Sequence, residues 1–247
     1  MIKLLENHAI AAFEEFCSGD PFGCRILAAE RTYGVNEPFA SFWAQYDGSG
    51  SMTAAIGRLD DGMTISHGTS QGPPADHDEL DEFVRMSMGS RGALRPAGKN
   101  EAAGGLIMRL NRESIPVSAV YDVDLAPTPD DLYHVMEGCP GQGFDLPPFK
   151  EFYSDLNKRI RARTVLCALV RESGLPVACA ALHMAGGTAL LTMCATMPDH
   201  RGKGCAASAI RALSVKAAKY DIFLFCLPNM AEFYRKRGFF VVGGFCL

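Results

Sequence analysis

The sequence predicts an α/β chain, a mixed twisted sheet flanked by helices, laid down twice as a tandem. Three observations carry this. Residues 39–68 and 164–197 each read as three short strand-like runs separated by turn formers, DGSGS and DDG in the first and ESGLP and AGG in the second, which is a meander. Gly50 and Gly62 recur as Gly174 and Gly186 at a constant offset of 124 residues, half of a 247-residue chain, which points to a divergent duplication. Helical periodicity precedes and follows each meander.

Taken in order, residues 6–17 place Ile10, Phe13 and Phe16 on one helical stripe, and a second helix covers 22–31. After the first meander, DHDELDEFVRMSM at 76–88 is a helix that Asp76 or Asp78 can cap. The boundary falls close to residue 115, giving a first unit over 1–115 and a second over 116–247. A strand near 119–125 opens the second unit. Thr128 as N-cap and Pro129 at the first helical position then start a helix over 129–137, followed by another over 148–161. Beyond the second meander, residues 204–219 form a helix whose buried stripe is Ala206, Ile210, Leu213 and Ala217, and strands over 222–227 and 239–245 close the unit.

With 24 basic and 28 acidic side chains and 48% hydrophobic residues, the chain has the means to build a core. The net charge of −4 is unevenly spread: 16 acidic and 10 basic side chains precede residue 116, whereas 12 and 14 follow it. That excludes a wholly basic nucleic-acid binder and leaves room for a local phosphate site in the second half. Nine cysteines form no C-x-x-C pair and sit among apolar neighbours, so buried thiols in a reducing compartment fit better than disulfides or a zinc knuckle. His67 and His183 read as paired or surface histidines, and no metal is expected. The acidic N-terminus is unlike a signal peptide, and no apolar run approaches about 18 residues. The expectation is a soluble, cytoplasmic protein.

Chemistry concentrates where the strand ending at Met197-Pro198 turns through Arg201-Gly202-Lys203-Gly204 into the alanine-rich helix. Gly202 and Gly204 remove bulk where backbone N–H groups converge, the unpaired first-turn donors attract an anion, and Arg201 and Lys203 supply full charges. The spacing is neither a Walker loop nor G-x-G-x-x-G. By itself, R-G-x-G is equally a surface loop.

The second half resembles the GNAT superfamily of acyl-CoA-dependent N-acyltransferases, over roughly residues 117–247. The family's R/Q-x-x-G-x-G/A pyrophosphate loop is matched by Arg201 to Ala206, and its later N-x-x-x-x-F/Y-Y-x-x-x-G-F element is approximated by Asn229 to Phe239. The resemblance implies acetyl-CoA as co-substrate and an amine as acceptor, attacked directly in a ternary complex. It implies backbone contacts to pantetheine from the strand bearing Cys194 and Thr196. It further implies a pyrophosphate cradle at Arg201, Gly202, Lys203, Gly204, Cys205 and Ala206, a pantetheine contact at Asn229, and Tyr234 as general acid toward the departing thiolate. A phenol with an ordinary pKa near 10 holds the needed proton at neutral pH. Read from residues alone, Tyr234 and Phe233 are also ordinary core aromatics, and Asn229 is also a cap for a helix starting near Met230.

LLTMCATM carries no carboxylate to act as base, and Asp199 and His200 belong to the phosphate end, so proximity and orientation are expected to carry more of the rate. Cys194 and Cys205 lack a histidine–carboxylate framework, and a covalent route is not expected. In the first half, GTSQGPPADHDELDE stands where the loop would be: Pro73 and Pro74 remove donors and five carboxylates oppose a phosphate. That half is expected to be a degenerate copy without coenzyme A. If its acidic loops face the cleft, they favour a cationic acceptor. The expected partners are a small-molecule or peptide amine, with no nucleic acid and no membrane, and a homodimer is left open. The alternatives are a silent acyl-CoA-binding module and a purely structural protein of this fold.

Overall fold

The computed structural model describes residues 1–69, 72–98, 101–114, 120–139 and 146–247. The expected boundary near 115, and residue 119 at the head of the expected strand, lie outside the described residues. The first half runs β1 (Ile2–Leu4), α1 (Ile10–Cys17), α2 (Pro21–Tyr33), β2 (Ala40–Tyr46), β3 (Met52–Leu59), β4 (Gly62–Ser66) and α3 (His77–Met88). Two further strands, β5 (Arg95–Pro96) and β6 (Gly105–Leu110), follow it. The second half runs β7 (Val123–Asp124), α4 (Pro129–Glu137), α5 (Phe149–Arg161), β8 (Val165–Glu172), β9 (Leu175–Ala185) and β10 (Thr188–Thr196). It closes with α6 (Cys205–Lys216), β11 (Asp221–Cys226), α7 (Ala231–Arg235) and β12 (Phe239–Cys246).

The local signals act as the sequence suggests. Asp20 accepts from the Gly23 amide at 2.7 Å with Pro21 opening α2, and Thr128 accepts from the Asp131 amide at 3.3 Å with Pro129 opening α4. Strands β1 to β4 pair antiparallel in sequence order, and so do β7 to β10. The two halves therefore repeat one strand-and-helix order as far as α3 and α6. The matched glycines are equivalent only in part. Gly50 and Gly174 both take positive φ in their turns, whereas Gly62 is the first residue of β4 and Asp60 takes the positive φ that Gly186 takes in the second half.

Sheet order shows how the halves join. The larger sheet reads β5-β12-β6-β11-β10-β9-β8-β7, so β6 lies between β11 and β12, antiparallel to both. The smaller sheet reaches it through a parallel bridge from Thr64 to Leu94, immediately before β5. Gly105 is required at the crossing: an added Cβ would stand 2.2 Å from Phe245 Cζ and 2.9 Å from the Cys226 oxygen. Beyond β6, Arg109 meets Asp221 at 2.9 Å, and Arg112 donates to the carbonyls of Ala218 and Tyr220. One apolar cluster spans both halves, with Phe22, Ile26 and Leu27 of α2 packed with Ile107, Leu190, Phe223 and Phe245. Among the described residues no helix is long and apolar enough to cross a membrane.

Candidate active site

β10 and β11 run parallel for four residue pairs, from Thr188 with Asp221 to Leu191 with Leu224, and then their pairing stops. β11 stays with β6 through Cys226, while β10 stays with β9, so the two strands part and leave a notch in the sheet. At the notch β10 bulges: Met193 and Cys194 together oppose the single residue Ala180, and Met193 takes φ 49°. A non-glycine residue there costs about 1–2 kcal/mol, and the Cys179 thiol donates to the Met193 carbonyl at 3.3 Å to hold the geometry. Such a bulge re-aims side chains and frees backbone groups from the ladder. Cys194 joins the cluster under α6, and Met193 joins the one formed by α4, α5, β8 and β9.

On the α6 side, the chain leaves β10 at Thr196, passes a short helical turn at Pro198–His200 and reaches Gly204, which caps α6 with φ 92°. Only glycine adopts that left-handed conformation without penalty. The cap has no side chain and so makes no side-chain cap hydrogen bond, which leaves the donors of Cys205 and Ala206 their capacity for an anion. Arg201, Gly202 and Lys203 are exposed, and Arg201 Nε donates to the Thr196 carbonyl at 3.2 Å, which ties its guanidinium to the end of β10. His200 Nε2 lies 2.8 Å from Glu172 Oε2 and Asp199 is exposed, so both stand at the loop.

The same position in the first half is filled from within. Asp76 caps α3 by accepting from the Glu79 amide at 3.1 Å. Buried Gln45 donates to the Asp76 carbonyl and to Glu79 Oε2, and accepts from the Asp76 amide. The N-terminal ammonium closes on Glu79 at 2.9 Å. Carboxylates at this helix start oppose a phosphate, and the Asp76 and Glu79 amides are already taken.

Tyr234, on α7, faces the bulge. Its side chain packs with Cys194 at one cluster, and burial, followed by the neighbouring Cys194 and Cys226, pushes the phenol above its ordinary range. Burial also pushes the Cys194 thiol up to about 11, against the pull of Arg237 and Tyr234. A thiol so protonated is no nucleophile at neutral pH. The Phe233 ring carries the Arg237 guanidinium at 3.4 Å from its centroid, a stacked cation that the sequence reading did not single out. Asn229 is exposed in the turn Pro228–Met230. It caps neither that turn nor α7, which begins at Ala231, so the capping role does not occur.

On the opposite face a cavity of about 710 Å³ lies between the halves, with Leu191, Thr192 and Met193 of β10 in its lining. His183, half-buried, lines it too. Burial, then Arg159 and Arg25, hold its pKa well below the ordinary value, so the imidazole is neutral. The first half contributes Arg25 and Arg58 to this cavity and none of its acidic loop residues.

The family model for the acetyltransferase (GNAT) family matches residues 130–239. Residues 130–239 are similar to a GNAT acetyltransferase domain. The match takes in the Arg201–Ala206 loop, the notch and Tyr234. Solved structures with the same fold extend over nearly the whole chain. A GNAT-family acetyltransferase from Colwellia psychrerythraea superposes with TM-score 0.60 at 15% identity, covering 99% of this chain and 97% of that one. A GCN5-related N-acetyltransferase from Sphaerobacter thermophilus gives 0.62 at 12% identity, covering 99% and 93%. A tandem GNAT protein from the clavulanic acid biosynthesis pathway gives 0.54 at 10% identity, covering 99% and 97%. At these identities the likeness is one of fold. A search of curated proteins gives no match.

Proposed function

We propose that the chain is an acetyl-CoA-dependent N-acetyltransferase whose amine acceptor attacks directly in a ternary complex, with the first half a degenerate copy that binds no coenzyme A. The family and the fold support acyl-CoA-dependent acetyl transfer in general. The observation that carries the finer reading is one juxtaposition: an α6 start with no side-chain cap and Tyr234 at the bulge flank the same notch. The residues present fit the co-substrate. Gly204 leaves backbone donors free, Arg201 and Lys203 bring charge to a pyrophosphate, and the strand from Cys194 to Thr196 would run beside pantetheine with Asn229 opposite.

In the reaction the amine nitrogen bonds to the acetyl carbon, the carbon–sulfur bond breaks, the thiolate takes a proton from the protein, and the nitrogen gives up one to water, from which the donor is reprotonated. Tyr234 is the group that would protonate the thiolate, since its raised pKa keeps the phenol protonated throughout the neutral range. The bulge orients backbone groups beside the thioester, and the notch lets an acceptor on the cavity side reach it, so proximity supplies much of the acceleration. A cytoplasmic setting agrees with the nine free thiols. The test is release of coenzyme A thiol from acetyl-CoA across a panel of amines. Turnover is expected with at least one, and Tyr234→Phe should lower kcat by roughly 10²-fold or more at unchanged acetyl-CoA affinity. Tight binding with no turnover of any amine would make the chain a silent binding module.

A further inference from the structure

The cavity between the halves carries more cationic charge than its own side chains neutralise. Three guanidinium groups line it, from Arg25, Arg58 and Arg159, against one carboxylate, Asp155. Asp155 is already matched: both of its oxygens accept from Arg159 Nε at 2.9 Å, and the Tyr33 hydroxyl donates to it as well. Arg25 has no anionic partner among the described residues. It is also the one exposed residue in the otherwise buried run from Pro21 to Glu30, and what it is open to is the cavity. Enclosure by the cavity walls, then the nearby Arg159, disfavours its charge. Arg58 Nε is buried without a hydrogen-bond partner, as is the Thr192 hydroxyl beside the bulge.

A guanidinium that lines a cavity with no carboxylate opposite it keeps its donors for a ligand, and such sites are commonly completed by one. The guanidinium is well suited to a planar oxyanion, which it meets with two parallel N–H donors. At about 710 Å³ the cavity is of the size that encloses a small molecule. Its lining reaches Thr192 and Met193 at the notch, so a ligand anchored by Arg25 lies on the side from which an acceptor amine would approach.

From this geometry we infer that the cavity is the acceptor site and that it selects a small amine bearing an oxyanion, a carboxylate or a phosphate, held by Arg25 with Arg58. The inference rests on the acetyltransferase reading for the word acceptor, but anion recognition itself can be read without turnover. Neutral His183 adds no further charge and is free to hydrogen-bond the amine.

The experiment titrates the full chain by calorimetry with product-like pairs: N-acetyl α-amino acids against their primary amides, and N-acetylaminoethyl phosphate against the corresponding alcohol. At least one anionic member should bind ten times or more tightly than its neutral partner, and the pair showing the preference distinguishes carboxylate from phosphate. Arg25→Met should shrink that ratio to within about threefold while leaving the unliganded chain as heat-stable as before or more so, because it removes an unpaired charge. Arg58→Gln gives the same reading should the first variant fail to fold. Neutral members binding as tightly as anionic ones throughout would overturn the inference. Thiol release with the matching free amines separates the two claims. Selective anion binding with no turnover sustains the site and sinks the enzyme, whereas equal kcat/KM for neutral and anionic amines sinks the site and sustains the enzyme.

Discussion

Replacing Gly204 with valine separates the cost of folding from the cost of binding. At φ 92° a β-branched residue is strained, by about 1–2 kcal/mol. The added Cβ would meet Val120 Cγ2 at 3.5 Å, which is ordinary contact, so no clash is added to the strain. Against a typical stability of about 5–15 kcal/mol the variant should fold, with a melting temperature lower by roughly 2–8 °C for a chain of this size. Binding should suffer more. The branched side chain covers the first-turn amides of α6, and each hydrogen bond lost to a charged oxygen costs about 1.5–3 kcal/mol, which is roughly tenfold to a hundredfold in affinity. Calorimetry with acetyl-CoA, alongside thermal melting of the same sample, reads both quantities. Unchanged affinity in a folded Gly204→Val chain would refute the phosphate site.

Two further outcomes follow from the way the halves interlock and from one charge pair. A fragment of residues 116–247 lacks β6, which leaves β11 and β12 without their common neighbour. It should fail to give a cooperative melt, and a fragment starting near residue 101 should do better, as circular dichroism would show. Near the β5–β6 connection, Arg95 holds Glu101 bidentately at 2.7 and 2.6 Å and lowers its pKa to about 2. Because the folded value lies below the unfolded one, this stabilisation is present above about pH 4.3 and is lost as pH falls toward 2. Glu101→Gln should therefore flatten the pH dependence of melting in that window, and an unchanged acid limb would contradict the pairing.

The second half was legible because its signals are local. Thr128-Pro129 is a local helix start, the stripe Ala206, Ile210, Leu213 and Ala217 names its own buried face, and a glycine cap after Arg201 and Lys203 is a candidate anion site that a family motif singles out. The segment GLIMRL at 105–110 carries strand-forming residues, yet nothing local tells a strand which sheet to enter, and its place between β11 and β12 is a long-range choice. The cavity was half visible. Arg159 falls on the buried stripe of α5 with Phe152 and Leu156, and Arg25 is a lone charge in the apolar run PFGCRILAA. Either is the kind of buried charge that signals a site, but only the packing of α2 against the second half brings the two arginines near one another. The net acidity of residues 1–115 says nothing about which side chains line the cavity, since it is averaged over a chain segment, and the residues that this half brings there include Arg25 and Arg58.

The most direct measurement is a crystal structure of the full chain with saturating acetyl-CoA. The account predicts one molecule per chain, its pyrophosphate on the amides that follow Gly204, its pantetheine in the notch between β10 and β11, and its thioester beside Tyr234 and the cavity. A second molecule at the start of α3, or a single one bound away from Arg201–Ala206, would contradict it.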